Sequence, residues 1–236
     1  MIKFYQNNGI TLPLNYNHIL ESAIYRSISP ALADFLHQWG FSYGKRSFKL
    51  FTFSRLLGEY RIEDKKIHYN EYASLLVSSP IQRFIKELAD GILKNGGMKV
   101  GTTKLNAYNI KFPAKPEMSS PIRGRTLSPI TVYTTLLTKE GDKKTYYYSP
   151  YEDEFNVAIS TNAKRKVYIL RERNIKSNLT FKPYKMKEVI MDYKGTVVKG
   201  WYGYFELRGS KSLISITYDA GLGSKNSEGF GMYEVF

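Results

Sequence analysis

The sequence contains no cysteine and only three histidines among its 236 residues. The absence of cysteine excludes disulfide bonds, thiolate nucleophiles and cysteine-based zinc sites. Three histidines are too few to favour a multi-histidine metal centre, and we predict neither a metal nor a cofactor. No apolar run reaches the length of about 18 residues that crosses a membrane, and the N-terminus lacks the apolar region of a signal peptide. We therefore expect a soluble cytoplasmic protein without a membrane partner.

Charge is abundant and one-sided, with 35 lysines and arginines against 21 aspartates and glutamates and a formal net charge of +14. The basic residues recur along the whole chain, so the charge does not belong to a tail. Such a charge favours a polyanionic partner, either nucleic acid or an anionic membrane, although a merely soluble basic protein would share it. The 20 tyrosines suit a packed core and also stacking on unpaired bases. Composition alone leaves these alternatives open.

Helical and strand patterns follow the same order in the two halves of the chain. Apolar residues at helical spacing predict a helix over 15–28, and Ser29-Pro30 begins a second helix that Gly40 ends. Both halves have approximately the order βαββαβ, the split-βαβ plan. We predict an α+β fold of two tandem ferredoxin-like (RRM-like) domains. The other predicted elements are helices near 80–96, 151–171 and 211–217, and strands near 2–5, 48–54, 59–62, 66–69, 71–77, 99–112, 127–138, 144–149, 179–191 and 196–208.

The segment 113–125 is the best candidate for a boundary between the halves. It holds residues that interrupt helices and strands: Pro113, Pro116, Pro121 and Gly124. We place the N-terminal domain at 1–115, the linker at 116–126 and the C-terminal domain at 127–236. A glycine-rich loop at 221–231 lies near the C-terminus.

Two rings in the first half are candidates for acid–base chemistry. Tyr25 lies about 150° from the centre of the apolar stripe of its helix, and His37 lies at a similar angle on the next helix. Both rings are therefore expected to face away from the core, where they could serve in catalysis. The alternative is that they are ordinary exposed side chains without a catalytic role. His18 lies one heptad before Tyr25 on the same face and is a rival base, whereas His68 falls in a predicted surface hairpin.

Lys49 lies in a basic segment, 45–55, that is interleaved with aromatic residues. A strand here would place Lys49 on the same face as Phe51 and Phe53. A lysine on an apolar face is costly unless it lies at the edge or meets an anion. We expect either a phosphate partner or a side chain that snorkels to solvent.

A histidine, a tyrosine and a lysine without a metal suit one reaction in particular, the cleavage of RNA by its own 2′-OH. A base removes the 2′ proton, an acid protonates the departing 5′-oxygen, and a cation stabilises the crowded phosphorane. DNA lacks the attacking hydroxyl, so such a site would leave DNA intact.

Near the C-terminus, Gly221-Leu222-Gly223 and Gly229-Phe230-Gly231 bracket a short polar segment. Glycine permits a positive φ and also lets a ligand approach the backbone closely. Clustered backbone N–H groups in such a loop can form an anion site, to which Lys225 adds a positive charge. A tight connection between strands is the alternative.

These residues resemble a known family. The C-terminal Gly-Leu-Gly-Ser-Lys-Asn-Ser-Glu-Gly-Phe-Gly-Met is similar to the signature glycine loop of the CRISPR-associated repeat-processing endoribonucleases. These enzymes are the sixth Cas family, within the RAMP superfamily. Other stretches agree with the family in the right order: Leu12-Pro13-Leu14-Asn15-Tyr16, Ala23-Ile24-Tyr25, Leu36-His37, Phe48-Lys49-Leu50-Phe51-Thr52-Phe53-Ser54-Arg55-Leu56 and Leu127-Ser128-Pro129-Ile130.

The resemblance implies two tandem ferredoxin-like domains and metal-independent cleavage of a precursor RNA within the CRISPR repeat. The products, mature guide RNAs, would carry a 2′,3′-cyclic phosphate (or a 2′/3′-phosphate) and a 5′-hydroxyl. Matching the family's motifs assigns catalysis to Tyr25, His37 and Lys49. It leaves open which of Tyr25 and His37 is the acid and which is the base.

The resemblance also implies that the glycine loop and a basic cleft between the domains hold the RNA. On this basis we assign RNA binding to Lys45, Arg46, Arg123, Arg125, Gly221, Gly223, Lys225, Gly229 and Gly231. The expected partner is CRISPR repeat RNA, and a multi-subunit CRISPR effector complex could be a further one; the chain would be a monomer or a homodimer. Two alternatives are a non-catalytic RAMP-type RNA-binding subunit of an effector complex and a generic module that stacks single strands on tyrosines.

Overall fold

The structure, a computed structural model, describes residues 1–137 and 141–236. The helices of the N-terminal half are Asn17–Arg26 (α1), Pro30–Asp34 (α2) and Gln82–Asn95 (α3). Its strands are Ile2–Tyr5 (β1), Ile10–Pro13 (β2), Phe41–Tyr43 (β3), Arg46–Phe48 (β4), Thr52–Phe53 (β5), Tyr60–Glu63 (β6), Lys66–Tyr69 (β7), Tyr72–Leu75 (β8), Val77–Ser78 (β9), Gly97–Val100 (β10) and Thr103–Ile110 (β11).

The C-terminal half follows the same mixture of strands and helices. Its helices are Asp153–Arg171 (α4) and Lys211–Ala220 (α5). Its strands are Ile122–Thr126 (β12), Tyr133–Leu137 (β13), Lys143–Tyr147 (β14), Thr180–Tyr193 (β15), Thr196–Arg208 (β16) and Tyr233–Val235 (β17). The predicted strand over 127–138 is reduced to β13, and residue 138 lies outside the described residues.

Each half is built on a four-stranded antiparallel sheet, so the predicted α+β class with two ferredoxin-like domains is confirmed. The C-terminal sheet has the order β15-β16-β12-β17, with α4 and α5 in the two crossovers of a βαββαβ chain. The N-terminal sheet has the order β10-β11-β1-β8. In this half the hairpin β10–β11 follows α3 in the chain. The predicted strand over 99–112 is thus a hairpin, which turns at Gly101 with φ of 63°.

The predicted linker 116–126 is wrong in its second part. Residues 122–126 form β12, which pairs with both β16 and β17 inside the C-terminal sheet. The inward face of β12 is formed by Ile122, Gly124 and Thr126, which are buried, while the alternating residues point to solvent. The segment has the alternation of a strand, but its glycine and the neighbouring proline favoured a loop.

The two halves share an interface rather than meeting only at the connecting segment. Leu50 belongs to the N-terminal half, yet it is buried in the core of the C-terminal half. Thr52 Oγ1 donates a hydrogen bond to Phe230 O at 3.0 Å, and the Arg55 amide donates to Leu127 O at 3.2 Å. The bond from Thr52 holds the glycine-rich loop against β5, and Asn17 Nδ2 of α1 holds it from the other side by donating to Gly229 O at 3.0 Å. Within the described residues, the structure contains no helix of the length and hydropathy required to span a membrane.

Candidate active site

Tyr25 lies in the last turn of α1 and is half-buried. Its ring does not point away from the core, as the helical angle predicted, but packs edge-on against Phe51 with centroids 5.8 Å apart. The helical wheel missed this contact because Phe51 comes from another segment that covers the polar side of α1. Burial, followed by the charges of Glu21 and Glu228, raises the pKa of the Tyr25 phenol. Tyr25 is therefore a neutral hydroxyl at physiological pH.

His37 lies in a short wide turn, Phe35–Trp39, that continues α2. Ser29 Oγ caps the start of α2, and Gly40 ends the turn with φ of 63°, as the Ser-Pro and glycine signals predicted. The His37 side chain is exposed. Its ring stands nearly perpendicular to that of Tyr25, with centroids 6.1 Å apart. The structure therefore brings together two rings that are separated by a helix end in the sequence.

Lys49 joins this pair. Its Nζ donates to the backbone oxygen of His37 at 3.1 Å and to Ser47 Oγ at 3.4 Å, and burial lowers the pKa of its ammonium group. The predicted strand over 48–54 is interrupted, since β4 ends at Phe48 and Leu50 has φ of 54°. Lys49 consequently does not share a strand face with Phe51, which is fully buried, and points towards His37 instead.

The other two histidines have different ring partners. The His18 ring packs edge-on against Tyr193, with centroids 6.5 Å apart. His68 lies on β7 of a hairpin, where its Nδ1 pairs with Thr11 Oγ1 at 2.9 Å. Neither of these contacts involves Tyr25, His37 or Lys49.

A cavity of about 300 Å³ opens beside Lys49, between β4 of the N-terminal half and the glycine-rich loop of the C-terminal half. Basic side chains dominate its charged lining, and Glu228 is the carboxylate among them. The lining residues with charged side chains are Arg46, Lys49, Lys166, Lys225 and Glu228. An anion of phosphate size would be attracted to such a surface.

The glycines of the loop serve its backbone rather than an approaching ligand. Gly221, Gly223, Gly229 and Gly231 all have positive φ and are buried. At Gly229, with φ of +85°, an added Cβ would lie 2.7 Å from Phe53 Cε2 and 2.8 Å from Asn17 Nδ2. The space beside these glycines is filled by protein, so close approach of a ligand is not the reason for them. The polar segment between them, 224–228, is the partly exposed part of the loop.

Lys225 lies in that polar segment, as the sequence predicted, with a left-handed backbone of φ 56°. Its Nζ donates to Glu228 Oε2 at 2.8 Å and lies 5.8 Å from the ring centroids of Tyr133 and Tyr193. Burial opposes the positive charge, but the hydrogen bond and charge of Glu228 outweigh it and raise the pKa of Lys225. The ammonium group is therefore charged and partly neutralised from within the loop.

The remaining predicted RNA contacts separate into two places. Arg46 lines the cavity, and Lys45 precedes it in the exposed turn of the β3–β4 hairpin. Arg123 and Arg125 lie instead on the exposed face of β12, where Arg125 pairs with Glu234. The structure does not bring Arg123 and Arg125 into the cavity with the other candidates.

Two basic residues near the cavity were missed from the sequence, and both lie on α4. Lys166 is buried and lines the cavity. Arg165 interacts with the charge of Arg46, and burial together with this charge lowers the pKa of Arg165. The sequence pattern of α4 did not single out either residue, because a lysine or an arginine in a helix is normally expected at the surface. In the described part of the chain, no cluster of three or more acidic or histidine side chains is placed to hold a metal ion.

Two family descriptions together match residues 11–235 of the chain. Residues 11–111 match the description "CRISPR-associated protein Cas6, N-terminal", and residues 111–235 match "CRISPR associated protein Cas6, C-terminal".

The chain belongs to the Cas6 family.

Curated relatives agree with this membership. A CRISPR-associated endoribonuclease Cas6 1 of Methanocaldococcus jannaschii is 31% identical over 96% of this chain and 88% of its own length. A CRISPR-associated endoribonuclease Cas6 of Pyrococcus furiosus is 26% identical over 98% of this chain and 86% of its own length.

Solved structures of the Cas6 and RAMP groups share this fold. A structure titled "CRISPR associated protein Cas6" is 30% identical with a TM-score of 0.80, covering 100% of this chain and 97% of the other. A structure titled "An RAMP protein binding different RNA substrates" is 26% identical with a TM-score of 0.82, covering 100% and 98%. The whole length of this Cas6-family chain is therefore accounted for by one known architecture.

Proposed function

We propose that this protein is an endoribonuclease that processes CRISPR repeat RNA. In the proposed reaction the RNA's 2′-OH attacks the adjacent phosphorus without a metal, leaving a 2′,3′-cyclic phosphate (or 2′/3′-phosphate) and a 5′-hydroxyl. The observation that carries the proposal is the grouping of Tyr25, His37 and Lys49, of which Lys49 also lines a basic cavity beside the glycine-rich loop. The printed names of the Methanocaldococcus and Pyrococcus relatives, which call them endoribonucleases, support it.

The surroundings of Tyr25 favour one role for its hydroxyl. Because burial and the carboxylates of Glu21 and Glu228 raise its pKa, Tyr25 holds its proton and suits hydrogen-bond or proton donation rather than the work of a base. His37 is exposed on the same side and can exchange a proton with the substrate. We assign the removal of the 2′ proton to His37 and the donor role to Tyr25.

Lys49 supplies the positive charge. The phosphorane carries one more negative charge than the ground state. A nearby ammonium group therefore stabilises the phosphorane more strongly than the ground state. Lys49 Nζ donates to the backbone oxygen of His37 at 3.1 Å, so its charge lies next to the segment that carries the imidazole.

A second candidate is RNA binding without cleavage, as a RAMP-type subunit of an effector complex. The structure titled as a RAMP protein that binds different RNA substrates, which has nearly the same fold, favours RNA binding in general. Oligomeric state and membership of a multi-subunit complex stay predictions.

Cleavage of a repeat RNA in EDTA, beside a copy with a single 2′-deoxy substitution at the mapped cleavage site, tests the proposal. We expect the first RNA to be cut and the second to be bound but left intact.

His37→Ala should lower the single-turnover rate by about 10²-fold or more with little change in binding. His68→Ala, a histidine of the surface hairpin, is the matched control. Loss of activity in EDTA, or an unchanged rate for His37→Ala, would contradict the mechanism, and binding without cleavage would favour the second candidate.

A further inference from the structure

Lys166 is the one lysine on the cavity lining that solvent hardly reaches, with 2% of its surface exposed. It lies on α4, between Ala163 and Val167, which belong to the core of the C-terminal half. An ammonium group in such a place costs free energy unless its hydrogen bonds are satisfied. A methionine or leucine would fill the same space without that cost, so the charge calls for an explanation beyond packing.

The ammonium group is satisfied by the end of α5 and by the glycine-rich loop. Its Nζ donates to Gly221 O at 2.7 Å, to Ala220 O at 3.3 Å and to Asn226 Oδ1 at 2.7 Å. These partners are neutral, and they lie more than fifty residues away in the chain. Lys166 therefore binds the place where α5 ends and the loop begins.

Asn226 extends this connection across the loop. While its Oδ1 accepts from Lys166, its Nδ2 donates to Leu222 O at 3.2 Å and to Phe230 O at 3.0 Å. Leu222 and Phe230 are the central residues of the two Gly-apolar-Gly units. Because Lys166 can only donate, it determines which way the Asn226 amide faces. The amide in turn ties together the two ends of the segment that presents Lys225.

We propose that Lys166 is a positioning residue of the RNA site, whose ammonium group holds the glycine-rich loop in the form that binds the phosphate backbone of RNA. This inference rests on the proposed RNA-processing function. Lys166 does not touch the RNA itself but keeps Lys225 and the polar segment 224–228 facing the cavity. Loss of the ammonium group should loosen residues 221–231 and weaken RNA binding, even when the rest of the protein stays folded.

The absence of cysteine from the chain makes a direct test available. Lys166→Cys, alkylated with 2-bromoethylamine in denaturant and refolded, places an ammonium group on a side chain of lysine length at this position alone. Lys166→Met gives similar volume without the charge. Lys164→Met is the matched control, because Lys164 lies on the same helix and donates to Asn178 Oδ1 instead of the loop.

Two measurements decide the outcome: hydrogen exchange of the peptide 221–231, and the affinity for a repeat RNA blocked by a 2′-deoxy nucleotide. We expect Lys166→Met to exchange faster in this peptide and to bind RNA roughly tenfold more weakly or worse. The aminoethylated Lys166→Cys protein should recover both properties, and Lys164→Met should resemble the wild type. Wild-type values in folded Lys166→Met, or failed recovery in the folded aminoethylated protein, would overturn the proposal.

If Lys166→Met does not fold, Asn226→Ala supplies the answer, because it removes the amide through which Lys166 reaches Leu222 and Phe230 and leaves the bonds of Lys166 to Ala220 and Gly221 in place. Unchanged exchange and affinity in that variant would also overturn the proposal. None of these readouts depends on cleavage. A wild-type protein that binds RNA but does not cut it would refute the proposed activity and leave the role of Lys166 standing.

Discussion

Glu228 is the residue whose neutralisation we expect to strengthen RNA binding. Its carboxylate accepts a hydrogen bond from Lys225 at 2.8 Å, and the two side chains are only 25% and 19% exposed. In the RNA-free protein, Glu228 thus competes for the charge that would meet a phosphate. An incoming phosphate must share Lys225 with this carboxylate and is repelled by it. Glu228→Gln removes the negative charge and keeps the shape of the side chain.

The size of the effect follows from the ion pair. A partly exposed pair of this kind contributes up to about 1 kcal/mol, which corresponds to an affinity change of roughly fivefold. Releasing Lys225 to one further phosphate should also steepen the slope of log K against log salt concentration by up to about 0.7 for a single strand. Glu228→Gln should therefore gain most at low salt.

Fluorescence anisotropy with a labelled, non-cleavable repeat RNA, titrated between about 50 and 200 mM salt, measures both quantities. Glu63→Gln is the matched control, since it removes the same charge from an ion pair with Arg61 on an exposed hairpin. Equal or weaker binding by Glu228→Gln would refute the reasoning. An undiminished gain in a Lys225→Met background would show that Glu228 does not act through Lys225.

Three further predictions concern the loop and its supports. Gly229→Ala should lower the free energy of unfolding by more than about 2 kcal/mol in urea titrations, because the backbone there is left-handed and the new Cβ would meet Phe53; wild-type stability would contradict this. Asn17→Ala removes the hydrogen bonds from Asn17 Nδ2 to Glu228 O at 3.2 Å and to Gly229 O at 3.0 Å. The free energy of unfolding should fall by about 1–3 kcal/mol in the same assay. A smaller fall would mean that the contact between α1 and the loop is weak. Burial lowers the pKa of Lys166 from 10.5 to about 7, so raising the pH through about 7 should remove the ammonium charge that holds the loop and weaken RNA binding more in the wild type than in Lys166→Met; an equal pH dependence of RNA affinity in the two proteins would contradict the assignment.

The sequence predicted the parts of the fold that depend on near neighbours. The helix over 151–171 and the long strands over 179–191 and 196–208 match α4, β15 and β16 closely, because a long periodic pattern outweighs its local exceptions. The Ser29-Pro30 start and the Gly40 stop were confirmed for the same reason, since capping is local chemistry. Short strands were less predictable: 48–54 was broken by the positive φ of Leu50, and 122–126 was read as linker.

The residues of the candidate site likewise divide into those that the sequence could nominate and those that only the structure revealed. Tyr25, His37 and Lys49 could be nominated from motif and residue type, and the glycine-rich loop from its composition. The helical wheel wrongly predicted that Tyr25 faces away from the core, since it describes one helix and not the segment packed on it. Lys166 could not be nominated at all, because a buried lysine and an exposed one look alike in a sequence.

By itself the sequence determined the class of fold, the net positive charge and the residue types available for the proposed chemistry, because helical period and capping act over a few residues and composition does not depend on the fold. Only the tertiary structure decided which of those residues meet. Contacts such as Asn17 with Gly229 and Lys166 with Gly221 join distant parts of the chain. Their geometry depends on how two sheets pack and which side chains lose their water, and both of these are properties of the assembled molecule.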